Sequence, residues 1–331
     1  MSSRDIEESK SAVSSMTKEE FDDLFPSASS VTLAPVAIPV PDVPVADMVE
    51  SITAKLGTRP DRRIGVPTGF KRFDYRTRGL HNGKVYVVAS RPGGGKTSWV
   101  TTVLANISRL HNYIPLLMFS TELTQEEVIM QVVEAHAGGV PIYPNNRVSS
   151  EDEMSKLKAS LNYIAEQVGS GVLNIKYGTK LAVPYMRSTI EKNPGATYPV
   201  VFIDQASRID RDDKGGKRQY SIATEEMIND LETMAQEFDV PIVLVTQLNR
   251  TAEFQKNPTL ANIKHSGAFE EFAHAVYLLD KDEDHGQTTA GSAWTNHGAT
   301  CHVAKSRHGQ VGPVKFNFYG ESHTWLEMPD D

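Results

Sequence analysis

A run of glycines between a predicted strand and a predicted helix constrains this chain more than any other feature. Residues 88–97 read Val-Ala-Ser-Arg-Pro-Gly-Gly-Gly-Lys-Thr. The apolar residues 85–88 before the run predict a buried strand. Apolar residues after it recur at helical spacing, at Trp99, Val100, Val103, Leu104 and Ile107. This order is typical of a phosphate-binding loop, in which backbone N–H groups at a helix start surround an anion.

The loop supplies the first candidate ligands. The predicted nucleotide-binding residues are Arg91, Pro92, Gly93, Gly94, Gly95, Lys96, Thr97 and Ser98. Lys96 is expected to reach the β- and γ-phosphates, and the Thr97 hydroxyl to hold Mg²⁺. Ser90 stands where the usual pattern begins with glycine. The alternative is a glycine-rich turn with an incidental lysine, which the flanking strand and helix disfavour.

Charge divides the chain into two parts. The net charge is −8, and residues 1–50 hold ten acidic and three basic residues, whereas the remainder is close to neutral. A near-neutral body can still concentrate cations in one channel. The single cysteine, Cys301, excludes an internal disulfide and fits a reducing cytosol. No apolar stretch is long enough to span a membrane and no signal-peptide pattern is present, so we expect a cytoplasmic protein.

The first 62 residues differ in organisation from the body. Residues 1–44 are acidic, rich in serine and then in proline, and predict a disordered tail and linker. Within them, residues 21–25 (Phe-Asp-Asp-Leu-Phe) are either a docking motif for a partner protein or a solvated helical turn. Apolar residues at helical spacing predict a linker helix in residues 45–62.

From residue 63 to residue 331, strand and helix patterns alternate, which predicts one α/β domain with a mostly parallel sheet flanked by helices. Predicted strands cover residues 85–88, 114–119, 200–203, 241–245 and 275–279, and residues 300–304 and 314–318 predict a C-terminal β-hairpin. Helices are predicted at 151–167 and 221–238. Thr124 and Glu127 form a predicted capping box for a further helix.

Polar residues follow three of these strands, where open α/β sheets bind ligands. Asp204 ends an apolar strand and is a candidate Mg²⁺ ligand beside Thr97, although a lone aspartate can merely terminate a strand. Glu122 is a candidate base for an attacking water, or a glutamate that favours a helix N-terminus. Gln247 could contact the γ-phosphate.

Several further runs make a family resemblance specific. In chain order these are residues 65–70 (Gly-Val-Pro-Thr-Gly-Phe), 91–97, 119–123 (Phe-Ser-Thr-Glu-Leu), 202–204 (Phe-Ile-Asp), 246–250 (Thr-Gln-Leu-Asn-Arg), 266–270 (Ser-Gly-Ala-Phe-Glu) and 305–309 (Lys-Ser-Arg-His-Gly). With this order and spacing, residues 63–328 resemble the ATPase domain of DnaB-type hexameric replicative helicases, which have a RecA-like core.

The resemblance implies roles for individual residues. Glu122 matches the catalytic glutamate, and Gln247 matches the glutamine that couples phosphate state to the DNA loops. Lys305 and Arg307 match the pair that reaches the γ-phosphate of the adjacent subunit; without the resemblance they would read as solvated charge on a hairpin. Lys264 and Gly267 fall in a loop that resembles a single-strand contact. The polar segment 208–220, with Lys214, Lys217 and Arg218, is either a second DNA contact or a solvated loop.

The resemblance also implies an activity. We expect an ATP- and Mg²⁺-dependent DNA helicase that moves 5′→3′ on single-stranded DNA as a homo-oligomer, by resemblance a hexamer. One alternative is a RecA-like ATPase that acts in recombination without processive unwinding, and another is an ATPase that does not act on DNA. The family's helical N-terminal domain is not recognised before residue 63, which we interpret as either a phage or mobile-element origin or a derivative that is loaded onto DNA differently. Gln205 and Lys264 stand where an aromatic residue and an arginine are usual in the family.

Overall fold

The computed structural model describes residues 65–144, 148–179, 181–192, 199–209, 216–249, 257–263, 266–281 and 296–329. The predicted tail (1–44) and linker helix (45–62) lie outside these ranges. The helices are α1 (Lys71–Thr77), α2 (Lys96–Leu110), α3 (Gln125–His136), α4 (Glu151–Gly169), α5 (Val183–Glu191), α6 (Gly216–Glu237) and α7 (Ser266–Phe272). The strands are β1 (Val85–Ser90), β2 (Leu116–Ser120), β3 (Leu173–Tyr177), β4 (Val200–Asp204), β5 (Ile242–Gln247), β6 (Ala275–Lys281), β7 (Asn296–Ser306), β8 (Gly312–Tyr319) and β9 (Thr324–Glu327).

All of these strands belong to one sheet, in the order β3-β2-β4-β5-β1-β6-β7-β8-β9. The six strands from β3 to β6 run parallel, and β6 to β9 pair antiparallel. The expectation of a mostly parallel sheet is therefore confirmed. The predicted hairpin is β7 with β8, and β9 adds an antiparallel strand that the sequence pattern did not predict.

Burial on both faces explains why the central strands read as continuous apolar runs. Strands β1, β2 and β4 are buried at every residue, as expected for parallel strands covered by helices on both sides. One face packs against α1–α4 and the antiparallel strands, through residues such as Phe73, Trp99 and Phe316. The other packs against α5–α7, through residues such as Leu231 and Phe269. The carboxyl ends of the parallel strands are thereby fixed at one edge of the sheet.

Two helix starts are set by local hydrogen bonds. The Thr124 hydroxyl accepts from the Glu127 amide at 3.3 Å, and the Glu127 carboxylate accepts from the Thr124 amide at 2.7 Å. This confirms the predicted capping box at the start of α3. Ser150 and Glu153 form the same arrangement at the start of α4.

The start of one helix was predicted wrongly, and one strand was missed. Helix α6 begins at Gly216, five residues before the predicted start at 221, and a 3₁₀ turn occupies Ala206–Arg208. Lys217 and Arg218 are therefore in the first turn of a helix and not in a polar loop. Strand β3 was not predicted because its residues alternate between buried and partly exposed, which is a weaker pattern than a fully buried run. None of the described helices has the length and apolar character that crossing a bilayer requires.

Three histidines cluster at the other edge of the sheet, where β6 begins. The ring of His274 lies 4.5 Å from that of His308 and 6.2 Å from that of His81. Burial lowers the pKa of His274 to about 3, and the neighbouring histidines act in the same direction. This residue therefore stays neutral in the folded protein at pH values where the unfolded chain would take up a proton.

Folding stability should consequently depend on pH through His274. Below its unfolded pKa of 6.5, only the unfolded state binds this proton, so stability falls as the pH falls. Between about pH 7.5 and about pH 5, the free energy of unfolding measured with urea should fall by about 2 kcal/mol more in the wild-type protein than in His274→Phe. Burial raises the pKa of Asp74 to about 6, so this group makes the free energy of unfolding rise as the pH falls. Its contribution is the same in both proteins. Equal losses in the two proteins would contradict this assignment.

Candidate active site at the carboxyl ends of the parallel strands

The glycine loop connects the end of β1 to the start of α2. Gly93 and Gly95 have φ of 68° and 78°, in the left-handed region that favours glycine. Lys96 is the first residue of α2, so the loop leads directly into a helix N-terminus, whose free N–H groups favour an anion. Pro92 and Gly93 are exposed, whereas Ser98 is buried in the first turn of α2. The structure therefore contains the strand, glycine loop and helix in the predicted order.

Contacts beneath the loop fix its shape. The Ser90 hydroxyl donates to the Arg91 carbonyl at 2.8 Å, and a Cβ on Gly94 would lie 2.3 Å from the Ser90 Oγ. Having serine at position 90 therefore requires glycine at position 94. From β9, the buried Trp325 indole donates to the Gly95 carbonyl at 3.0 Å. The C-terminal strand thus supports the loop from below.

Alanine at position 94 should damage nucleotide binding for this reason. The added methyl group would displace Ser90 or the loop backbone, and such overpacking typically costs about 1–3 kcal/mol. We expect Gly94→Ala to weaken binding of a fluorescent ATP analogue by about tenfold or more. Gly169→Ala is the matched control, since a Cβ there meets nothing within 4 Å. Equal affinities in both variants would contradict the role of the close approach.

Lys96, Thr97 and Asp204 meet where β1 and β4 end. The Thr97 hydroxyl donates to Asp204 Oδ2 at 2.6 Å. Lys96 is buried and its ammonium lies 3.5 Å from the Arg91 carbonyl. Burial lowers the pKa of Lys96, and the charges of Asp204 and Glu122 oppose that shift. The site therefore brings the ammonium of Lys96 together with two carboxylates and a hydroxyl.

Asp204 has the properties of a metal ligand. Its side chain is buried, and its Oδ1 has no hydrogen-bond partner among the described residues. Burial raises the pKa of Asp204 to about 6, and the hydrogen bond from Thr97 opposes this shift. The described residues hold no cluster of three or more acidic, His or Cys side chains that could bind a metal alone. A Mg²⁺ ion here would therefore take further ligands from phosphate and water.

Glu122 lies at the end of the neighbouring strand, β2. Its Oε1 accepts a hydrogen bond from the Gln205 amide at 3.0 Å and lies 3.6 Å from Arg208 Nη2. The preceding residue, Thr121, donates its backbone N–H to the Asp204 carbonyl at 2.7 Å. Because β2 and β4 are adjacent parallel strands, the two carboxylates are held at the same edge of the sheet.

Gln247 and Arg91 flank the glycine loop. Gln247 pairs with Ser90 in the register of β1 and β5, so it ends its strand beside the loop. Arg91 forms an ion pair with Asp280 of β6 at 2.5 Å. The Arg91 guanidinium is thus paired with a carboxylate at the mouth of the loop. The sequence pattern did not predict this ion pair.

Lys305 and Arg307 lie away from this site. Lys305 pairs with Val276, which is level with Val87 of β1. Val87 is three residues before Ser90, a separation of roughly 10 Å along the strand. Arg307 Nη2 donates to the Glu271 carbonyl at 2.7 Å, and Lys305 also donates to backbone carbonyls at the end of α7. The pair does not meet the glycine loop of its own chain.

The predicted DNA-contacting residues are distributed over two segments. Gly267 lies in the first turn of α7, and Lys217 and Arg218 lie in the first turn of α6. Lys264 and Lys214 are outside the described residues. The structure therefore does not test a DNA path through these side chains.

Sequence reasoning missed four contributors to the site. Asp280 contacts Arg91, Trp325 contacts Gly95, and both Gln205 and Arg208 contact Glu122. Asp280 follows an apolar strand and could have been noted on that ground. Neither Arg208 nor Trp325 belongs to a recognisable motif.

A nine-stranded sheet with a glycine loop after β1, and with Asp204 and Glu122 on neighbouring strand ends, defines a RecA-like P-loop nucleotide-binding domain. The chain belongs to the family of the DnaB-like helicase C-terminal domain, whose model matches residues 65–327. This match covers the whole described α/β domain.

Individual relatives and solved structures agree with this family. The chain is 27% identical over 276 residues to the replicative DNA helicase DnaB of Treponema pallidum, covering 83% of this chain and 58% of the relative. It is 26% identical over 316 residues to that of Leifsonia xyli, covering 94% and 63%. The chain thus spans about six tenths of the length of these relatives.

Two solved structures have the same fold. One, described as an ATPase domain, matches with a TM-score of 0.72 at 23% identity, over 87% of this chain and 100% of that one. A DnaB-like replicative helicase, solved in a study of its interactions with primase, matches with a TM-score of 0.69 at 24% identity, over 87% and 68%.

Proposed function

We propose that this protein is a replicative DNA helicase that couples ATP hydrolysis to movement along single-stranded DNA. The observation that carries the proposal is the joint placement of Lys96 and Thr97, at the start of α2, with Asp204 and Glu122, at the ends of the adjacent strands β4 and β2. The family and the names of the relatives supply the link to DNA unwinding. Movement in the 5′→3′ direction, hexamer formation and a cytoplasmic location are part of the same proposal.

The residues of the glycine loop fit a bound nucleoside triphosphate and Mg²⁺. Backbone N–H groups of the loop bind the phosphates, and Lys96 supplies positive charge at the β- and γ-phosphates. The Thr97 hydroxyl and the Asp204 carboxylate, whose Oδ1 lacks a partner among the described residues, would hold Mg²⁺. When bound, that ion neutralises the charge of the phosphates.

Glu122 serves as the group that orients the attacking water and accepts its proton. Its carboxylate sits at the mouth of the site, anchored through one oxygen. Gln247, beside Ser90, contacts the γ-phosphate and transmits its loss to the segment that follows β5. That segment contains Lys264 and leads to Gly267, and we propose that both contact the DNA backbone. We propose a second DNA contact at Lys214, Lys217 and Arg218, which follow β4.

The position of Lys305 and Arg307 supports the proposal of an oligomer. Both side chains bind at the end of α7, far from their own glycine loop. We assign them to the nucleotide of the adjacent subunit, which requires a ring or a filament. Further replisome proteins are proposed to dock on the acidic residues 1–44.

DNA dependence of ATP hydrolysis tests the proposal. A single-stranded oligonucleotide should raise the steady-state ATPase rate of the wild-type protein severalfold, and a duplex of the same sequence should raise it less. An ATPase rate that neither DNA changes would instead favour an ATPase that does not act on DNA.

A further inference from the structure

The carboxylate of Glu122 is held by the segment that follows β4. Gln205 Nε2 donates to Glu122 Oε1 at 3.0 Å, and Arg208 Nη2 lies 3.6 Å from the same oxygen. The second oxygen, Oε2, accepts no hydrogen bond from the residues that the structure describes. One carboxylate oxygen is therefore anchored, while the other remains available.

Gln205 is placed by its neighbours before it reaches Glu122. Its side chain is buried, with 2% of the residue exposed. Its backbone N–H donates to the Thr121 hydroxyl at 3.1 Å, and that hydroxyl donates to the Asp204 carbonyl at 3.0 Å. A buried amide needs hydrogen-bond partners, and one of the partners here is the carboxylate. The geometry of the Gln205 side chain is thus linked to that of Glu122.

Arg208 adds a charge and a second attachment. Its Nη1 donates to the Thr121 carbonyl at 3.5 Å while Nη2 approaches Glu122. The guanidinium therefore spans the carboxylate and the backbone of the preceding residue. About half of its side chain is exposed, at 49%, so replacing it should disturb packing little.

Both residues lie within four positions of Asp204. The same short segment, from Asp204 to Arg208, therefore carries the proposed Mg²⁺ ligand and the two groups that contact the proposed water-orienting glutamate. A displacement of this segment would move both carboxylates together.

We infer that Gln205 and Arg208 are positioning residues for ATP hydrolysis. They hold Glu122 Oε1 so that Oε2 faces the attacking water. This inference rests on the proposed function, because it assigns to Glu122 the role of orienting that water.

Three variants test the inference by steady-state and single-turnover ATP hydrolysis. Gln205→Met removes the donor at similar size and should lower kcat by about 10- to 100-fold, since small misplacements of a catalytic group can cost that much. Arg208→Ala should lower kcat by roughly tenfold, and Arg208→Lys should recover part of the loss because it restores a cation. KM for ATP and the affinity for a fluorescent nucleotide should stay within about twofold of wild type.

A double variant separates positioning from a general structural effect. If Gln205 acts through Glu122, then adding Gln205→Met to Glu122→Gln should lower single-turnover hydrolysis by less than about twofold. Arg187→Ala is the matched control, because Arg187 pairs with Glu237 on the surface, away from the strand ends. This control should hydrolyse ATP at the wild-type rate.

The outcomes are distinguishable. Wild-type kcat in both Gln205→Met and Arg208→Ala, with hydrolysis strongly reduced in Glu122→Gln, would overturn the inference and leave the proposed function standing. Loss of nucleotide binding in both variants, or multiplicative losses in the double variant, would also overturn it by indicating a structural role. Normal hydrolysis in Glu122→Gln would overturn the proposed role of Glu122 and the inference together.

Discussion

Replacing Lys96 with alanine is expected to reduce ATP hydrolysis by about a thousandfold or more, because electrostatic clamps on a transferring phosphoryl group contribute on this scale. Lys96 is the only lysine between residues 85 and 110. Its ammonium is buried close enough to Asp204 and Glu122 for their charges to act on its pKa. Without it, two carboxylates would face the phosphates, because the loop's other cation, Arg91, is paired with Asp280.

A phosphate-release assay under saturating ATP measures this loss. Lys158→Ala, which removes an exposed lysine from α4, is the control and should hydrolyse ATP at the wild-type rate. Turnover within about tenfold of wild type in Lys96→Ala would show that the glycine loop does not bind the reacting phosphates.

Replacing Arg307 with alanine is expected to lower hydrolysis by about three orders of magnitude while leaving nucleotide affinity nearly unchanged, since an arginine finger stabilises charge that develops in the transition state. In its own chain, Arg307 binds the Glu271 carbonyl at the far end of the sheet from the loop. We therefore propose that it acts on the nucleotide of a neighbouring subunit.

Mixing two inactive proteins tests this action between subunits. At some interfaces of a mixed assembly, a Glu122→Gln subunit presents an intact Arg307 to a subunit that carries Arg307→Ala and an intact Glu122. Hydrolysis should reappear on mixing, in proportion to such interfaces. Mixed assemblies, verified by mass photometry, with no recovery of hydrolysis would contradict action in trans.

Local features of the sequence accounted for much of the fold. The glycine loop and the Thr124–Glu127 capping box are encoded within a few residues, and both are present. Buried parallel strands read as apolar runs because helices cover both faces. Edge and terminal strands gave a weaker signal, so β3 and β9 were not predicted. The start of α6 was placed five residues late because its first turn is polar.

The sequence predicted the site residues that lie at the ends of strands, but not the contacts that residues distant in sequence make with them. Asp204 and Glu122 follow apolar strands, and the ends of neighbouring parallel strands must meet at one edge. By contrast, Trp325 reaches Gly95 across 230 positions of the chain, and Gln205 reaches Glu122 across 83. Such contacts depend on which strands become neighbours, and residue type alone does not reveal them.

Unwinding of a forked DNA duplex is the measurement that tests the helicase assignment most directly. With ATP and Mg²⁺, the wild-type protein should displace a labelled strand from a fork that has a 5′ single-stranded tail, and Lys96→Ala should displace none. The helicase assignment would be contradicted if single-stranded DNA stimulated hydrolysis but no strand were displaced from forks of either polarity. That result would favour a RecA-like ATPase that binds DNA without unwinding it.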